Sequence, residues 1–521
     1  MTAVSPLPHH LAQAQAAFAA GDYSGCVGHC RELLRRDATH VAALHVMGCA
    51  HIRLGRRLLG VAALEAAVKL APDDAPLLTD YATALSACGR TDDAGRISLA
   101  VAGKRPRDPD SVCRLVPLLR DGGHHDEVLA LLTGAVVHTP DHVGLRVDLA
   151  MELASLLRLD EALIHLAVAE YLKPDDAAIQ TNLGIILQAR GDLAGAAERH
   201  RRARDLAPDS PLPPLNLATT LLTGLDLEGG FATLEHRPLP DYGVPLPPRW
   251  RGEEVRGKRL LVLAEQGLGD MIQFARFLPS LARRGAEVVV ACEPDLLRLF
   301  ATLPVEVCSI ADPLPPADLW LPFLSLGALL KPEVTDLARS VPYLSAPMQS
   351  PVVPPETEGL KVGLVWAAGA SIKPSYSGRA LARRSCPLDA MAPLAALDGI
   401  SLFSLQKGPA VAELTASGLP IHDLSGRLHD LADTAAAITQ LDLVISVDTS
   451  VAHLTGAMGK PLWLLLAHGQ ADFRWGVGTH GTPWYPQARL FRATQAGWPD
   501  LLAEIAAELA LAARGKGRLV R

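Results

Sequence analysis

The chain has 521 residues, 49% of them apolar and 20% charged, with a net charge of −7. That length exceeds a single hydrophobic core and predicts about three compact units. So mild a charge gives no electrostatic case for nucleic acid or an anionic membrane as partner. The eight cysteines show no metal-ligand spacing. The closest pair, Cys26 and Cys30, stands at i, i+4 on one predicted helix, and all eight read as reduced, packed thiols. The opening MTAVSPLPHH has no basic segment followed by an apolar run, and no stretch approaches the ~20 apolar residues of a membrane span. The expected location is cytoplasmic.

From the start of the chain, Gly21, Gly55, Gly89, Gly123 and Gly191 keep one register of 34 residues, which Leu157 breaks. Ala38, Pro72, Pro106, Pro140, Pro174 and Pro208 keep the same step on a second register 17 residues later. If Pro72 ends a unit at position 32, three columns are dominated by small residues. Position 8 reads Ala14, Gly48, Ala82, Val116, Ala150 and Gly184. Position 20 reads Cys26, Gly60, Ala94, Val128, Ala162 and Ala196, and position 27 reads Leu33, Ala67, Val101, Ala135, Ala169 and Ala203. Small columns are required where two antiparallel helices approach closely. The sequence resembles the tetratricopeptide (TPR) repeats over six units, starting near Leu7, Val41, Ala75, Pro109, Val143 and Ala177. The first helix of a seventh unit follows, with Asn216 at position 6 and Ala218 at position 8. A solenoid is expected over residues 7–235.

Prolines at 238, 240, 245, 247 and 248 cannot sit inside helices and predict an extended connector over 236–257. Beyond it, short apolar runs alternate with helical spacing. Strands are predicted at 260–264, 288–292, 305–308 and 319–321, with a helix over 271–284 after the first. A second set lies at 362–366, 402–405, 443–447 and 462–466. Such alternation argues for parallel sheets covered on both faces. The proline-rich stretch 345–358 separates two doubly wound, Rossmann-like domains, 258–345 and 358–515. Their ligand cleft should face the carboxyl ends of both sheets.

Four segments fall at those strand ends. Gln266, Gly267, Gly269 and Asp270 form a turn into a helix, in which the glycines allow close approach to a ligand and Asp270 stands at or near the N-cap; a plain capped turn would look the same. Trp366 to Gly369 leads into a loop with Lys373, Arg379, Arg383, Arg384 and Ser385, cations suited to a diphosphate or merely to solvent. Lys407 closes a third strand. At the fourth, a buried strand delivers Asp448, Thr449 and Ser450 to a helix N-terminus whose free amides suit a phosphate. His453, one turn in, lines the same end or packs beneath it.

Five further stretches, with that first turn, carry a second resemblance. EQGLGDMIQFARFLP (265–279), VGLVWAAG (362–369), RRSCPL (383–388), FSLQKGP (403–409), the long run from 431 to 466, and TPWYPQARLFR (482–492) are similar to the family 9, heptosyltransferase-like glycosyltransferases, in the branch that places them behind TPR repeats. The resemblance implies a GT-B fold that transfers a sugar from a nucleotide donor with inversion, without a resident cofactor or required metal. It implies Asp270 as general base, Arg384 on the donor diphosphate with Ser385 and Lys407 nearby, and Asp448, Thr449, Ser450 and His453 at the nucleotide. The 370–382 loop departs from the family pattern, as do His468, Gly469 and Gln470 before Asp472, Arg474 and Trp475, which leaves donor identity and activity open.

A solenoid suits a polypeptide acceptor better than a small one. Position 6 reads Ala12, Val46, Asp80, Arg114, Asp148, Asn182 and Asn216, and its two asparagines could bond an extended peptide, as in the TPR-bearing O-GlcNAc transferases, or form ordinary polar surface. Three readings follow: a protein glycosyltransferase, with TPR-coupled flagellin glycosyltransferases as the architectural analogy; a transferase acting on a glycan or lipid-linked sugar; and a non-catalytic scaffold.

Overall fold

The computed structural model describes residues 7–103, 108–348, 352–369, 384–469, 472–494, 497–515 and 517–520. The chain divides into two compact units, residues 1–186 and 187–521.

The first unit is a run of helix pairs. Their first helices begin at Leu7, Val41, Ala75, Pro109, Val143 and Ala177, the starts read from the 34-residue register. The three small columns are buried, among them Ala14, Ala82 and Ala150, Cys26, Ala94 and Ala162, and Leu33, Ala67 and Ala169. Gly48 and Gly60 show why bulk is refused: a Cβ on Gly60 would lie 2.9 Å from the Gly48 carbonyl oxygen. The glycine register marks the reversal between paired helices, where φ is positive at Gly21, Gly55, Gly89 and Gly123. Leu157 breaks the residue pattern but not the geometry, because its φ is +60°.

The second unit opens with helices Leu193–Leu206, Leu212–Thr223 and Leu227–Leu234, so the seventh repeat has both helices, the second cut to 8 residues. Leu225, one period after Gly191, again takes φ +62°. The last helix is absorbed into the α/β core. Phe231 packs edge-on against Phe274 at 5.7 Å and against Trp484 at 6.5 Å. The proline-rich connector is a bound strap: the Trp250 amide donates to the Trp320 carbonyl at 2.8 Å, and the Trp320 amide to the Pro248 carbonyl at 3.1 Å.

Strands β1 (Arg259–Leu263), β2 (Glu287–Cys292), β3 (Glu306–Ser309) and β4 (Leu319–Pro322) make a parallel sheet in the order β3-β2-β1-β4. A second parallel sheet holds β5 (Leu360–Val365), β6 (Ile400–Ser404), β7 (Ile421–Asp423), β8 (Leu443–Val447), β9 (Leu462–Leu466) and β10 (Ala488–Arg492), in the order β10-β9-β8-β5-β6-β7. These are the doubly wound orders of a two-lobed GT-B architecture. Each winding reverses beside its first strand, between β1 and β4 and between β5 and β8, where such sheets open a crevice for ligands. β7 and β10 were not among the predicted strands: one has three residues, too few to show a period, and the other carries Arg489 and Arg492 within its five residues. The helix predicted over 271–284 starts earlier and is broken into Leu268–Phe274 and Leu278–Arg283 by a 3-10 turn ahead of Pro279.

Candidate active site

After β1 the chain turns through Gln266, whose φ of +62° is left-handed. The strained residue of the turn is therefore Gln266 rather than a glycine. Gly267 is the N-cap at φ −92°, and Gly269 serves close approach, since a Cβ there would sit 2.7 Å from His453 Cδ2. Asp270 is the third residue of the helix rather than its cap, and its Oδ2 accepts from the Gly267 amide at 3.0 Å. Its Oδ1 is paired with the Arg474 guanidinium. Arg474 also donates to Gln273 Oε1 and is ion-paired with Asp472 at 3.1 Å. Burial works against the Arg474 charge, but Asp472, Asp270 and Asp448 together outweigh it and raise its pKa.

Above this turn lies the end of β8. Asp448 is 4% exposed and takes Arg384 Nη2 on its carboxylate at 2.7 Å; the same nitrogen donates to the Asp448 carbonyl at 2.7 Å. Arg384, expected on a donor diphosphate, thus has an internal partner. Burial raises the Asp448 pKa, Arg384 opposing it. His453 is on the buried face of the helix Ser450–Ala457: Nδ1 is 2.9 Å from the Tyr485 hydroxyl, the ring stacks on Trp475 at 5.1 Å, and Nε2 is 4.0 Å from Asp448 Oδ1. Burial, with Arg474, Arg384 and Arg276 nearby, holds its pKa well below the usual histidine value. The ring is buried among these partners.

Thr449 is the N-cap of Ser450–Ala457, yet its side chain does not cap the helix; its hydroxyl lies 3.1 Å from that of Ser446. The first amides are left for another acceptor. They border a cavity of about 250 Å³ lined by Leu268, Gly369, Lys407, Asp430, Thr449 and Ser450, among others. Of the expected site residues, the cavity brings together Lys407, Thr449 and Ser450. Asp270, Arg384, Asp448 and His453 form the network beside it. Ser385 is a staple, accepting from the Ala368 amide at 3.0 Å. Lys373, Arg379, Arg383, the 370–382 loop and Gln470 lie outside the described residues. Asn182 and Asn216 are each half-buried on their own helix.

Three contributors escaped the sequence reading. Gln406 accepts from the Trp366 and Ala367 amides at 3.2 and 3.0 Å and donates to the Ala367 carbonyl at 3.1 Å, tying the β5 loop to β6. Arg474 reaches Asp270 from 204 positions away. Arg237 inserts behind the 265–270 turn, with Nε 2.9 Å from Glu265 Oε2 and Nη2 3.1 Å from Ser325 Oγ, while Glu265 Oε1 accepts from the Leu324 amide at 2.7 Å. Arg237 ties the end of β1 to the segment after β4, and nothing in the local sequence marked it.

Two lobes of this topology, with a helix N-terminus at a strand end in one and a Gly-Asp turn from the other against it, are consistent with a GT-B-like glycosyltransferase domain placed behind TPR repeats. Residues 399–495, from β6 through Arg474 to β10, match the glycosyltransferase family 9 (heptosyltransferase) family; Asp270 and Arg384 lie outside the matched segment. Protein FlbA of Caulobacter vibrioides is 28% identical over 546 aligned residues, covering 96% of this chain and 89% of that protein. Mouse protein O-mannosyl-transferase TMTC1 is 28% identical over 155 residues, 29% of this chain and 16% of that protein. Among solved structures, YrrB, described as a TPR protein with an unusual peptide-binding site, aligns over 35% of this chain and 95% of its own at 18% identity and a TM-score of 0.31. No helix among the described residues is long and apolar enough to cross a membrane.

Proposed function

We propose that the protein is an inverting glycosyltransferase that moves a sugar from a nucleoside-diphosphate or CMP donor onto a protein hydroxyl presented by the repeats. The observation that carries this reading is the apposition of the Asp270 turn to the Thr449 helix end, with Lys407 on the adjoining cavity wall. The acceptor oxygen forms its bond to the anomeric carbon as the bond from that carbon to the leaving phosphate breaks, and the hydroxyl proton passes to Asp270. Each oxygen of that carboxylate keeps a lone pair beyond its bonds to Gly267 and Arg474. Arg474 fixes the direction in which Asp270 points. The amides beginning at Ser450 and the Lys407 ammonium hold the negative charge that grows on the phosphate, a load that needs no metal ion in this scheme. Arg384 acts one step back, through Asp448, to keep that strand end in shape. His453 supports both lobes from beneath.

The protein acceptor is supported by the repeats ahead of the lobes, since helical arrays bind extended chains along their faces; flagellin is one acceptor to assay. Binding of a nucleotide tests the reading at its base. In a thermal-shift screen of nucleoside diphosphates and CMP, one ligand at about 100 times its Kd should stabilise the chain by ~2.7 kcal/mol. A flat response across the panel would favour the scaffold reading instead.

A further inference from the structure

The first unit holds a cluster that the proposed transfer does not use. His45 and Cys49 lie four residues apart on one face of the helix Val41–Arg53, and Asp80 comes from Ala75–Ala87, the first helix of the next repeat. His45 Nε2 is 2.7 Å from Asp80 Oδ2, and Cys49 Sγ is 3.8 Å from the same oxygen. All three ligand atoms lie within 4.8 Å of one another, and all three residues are half-buried.

We propose that His45, Cys49 and Asp80 form a binding site for a soft divalent cation, zinc first, that staples the second repeat to the third. Zinc bound tetrahedrally by nitrogen, oxygen and sulfur at about 2.0–2.3 Å sets its ligand atoms about 3.3–3.5 Å apart. The spacings to Asp80 Oδ2, 2.7 and 3.8 Å, bracket that value and the third is at most 4.8 Å, so side-chain adjustments of about 1 Å at each ligand admit the ion. An imidazole, a thiolate and a carboxylate are a donor set suited to zinc rather than to magnesium or calcium. On binding, the thiol gives up its proton to solvent, and the two anions balance the dication. Three protein ligands leave one coordination position for water or for a side chain of a bound protein.

Arg114 is the opposing charge. Its Nη1 lies 3.8 Å from Asp80 Oδ1, leaving Oδ2 to the cation, and its side chain is 50% exposed, so it can turn outward as the ion enters. The array also contains its own contrast. Cys113 and Asp148 repeat the His45 and Asp80 positions two units later, but Pro117 stands where Cys49 would be, so the third ligand is missing. A hydrogen-bonded His45–Asp80 pair without metal affinity is the competing explanation, and it predicts a different titration.

The full chain, stripped with a chelator, would be titrated calorimetrically with Zn²⁺ and optically with Co²⁺. The expected result is saturable uptake of one ion per chain, with a thiolate-to-cobalt charge-transfer band in the near ultraviolet. Both should weaken more than about tenfold in Cys49→Ser and in His45→Gln. Circular dichroism would check each variant's fold, and Asp80→Asn offers a third, milder probe if either melts. No saturable uptake, or an unchanged band in Cys49→Ser, overturns the proposal, the latter by assigning the thiolate elsewhere.

Discussion

In the repeats, the columns where helices cross are filled by Ala, Gly, Val and Cys, with Leu33 the one larger residue, so a contact reads mostly as a small side chain against its neighbour. In the lobes the packing encloses charge, Arg237 with Glu265 almost fully buried and Arg474 with Asp270 and Arg384 with Asp448 partly so, whereas in the repeats buried charge lies off those columns, as at Glu152 against Arg120 and His125. The first kind of packing is tuned in small increments, and one residue more or less changes little in kind. The second carries high stakes, because a buried charge that loses its partner is left without solvation. The difference also separates the tasks. The repeats need a regular surface, whereas the proposed transfer requires the lobes to hold a carboxylate and a helix N-terminus in fixed relation.

The sharpest break in that comparison comes from Arg237. Arg237→Met should destabilise the chain by about 3–5 kcal/mol by stranding Glu265, and the double variant Arg237→Met/Glu265→Met should recover much of the loss. Urea unfolding of the single and double variants reads this directly; equal losses in both would mean that packing, not charge, governs the site.

His200 adds a pH term to the second unit. It is fully buried, neither ring nitrogen has a hydrogen-bond partner, and burial lowers its pKa to about 4. The unfolded chain, with an ordinary histidine, then binds more protons. Stability present above about pH 6.5 is lost as pH falls towards 4, by of order 3 kcal/mol. His200→Leu should flatten that slope in denaturation curves at pH 7 and pH 4.5.

Lys407→Ala should weaken nucleotide binding by about 2 kcal/mol, near thirtyfold, with the fold unchanged. Calorimetry with the nucleotide found in the screen measures it. The smallest effect belongs to the repeats. Leu157→Gly and Leu225→Gly should each raise stability by ~1 kcal/mol, since both leucines hold a left-handed backbone that glycine adopts freely. Thermal melts that fall instead would show that their side-chain packing outweighs the backbone strain.

How far the sequence could be read follows the same division. Repeat contacts recur at fixed positions every 34 residues, so the small columns that hold Gly48 and Gly60 and the starts at Val41 and Ala75 were visible in the sequence. In the lobes, apolar runs announced β1, β5 and β8, but β7 is too short to carry a period. The Asp270–Arg474 pair spans 204 positions and leaves no local pattern. At position 6 only the two asparagines were given a role; the structure shows Asp80 on His45 and Asp148 3.5 Å from Arg120, pairs that the stacking of successive repeats creates. The turn at 265–270 was legible as a turn, but the strain fell on Gln266 because Gly269 was needed for clearance from His453.

The central claim, that the Asp270 turn and the Thr449 helix end form one transfer site, is tested most directly by Asp270→Asn assayed for donor binding and for sugar transfer in parallel. The account predicts nucleotide affinity within about twofold of the parent, with transfer reduced by about 10²–10⁴-fold, the contribution of a positioned base. Transfer at the parent rate would contradict it, as would loss of nucleotide binding together with activity.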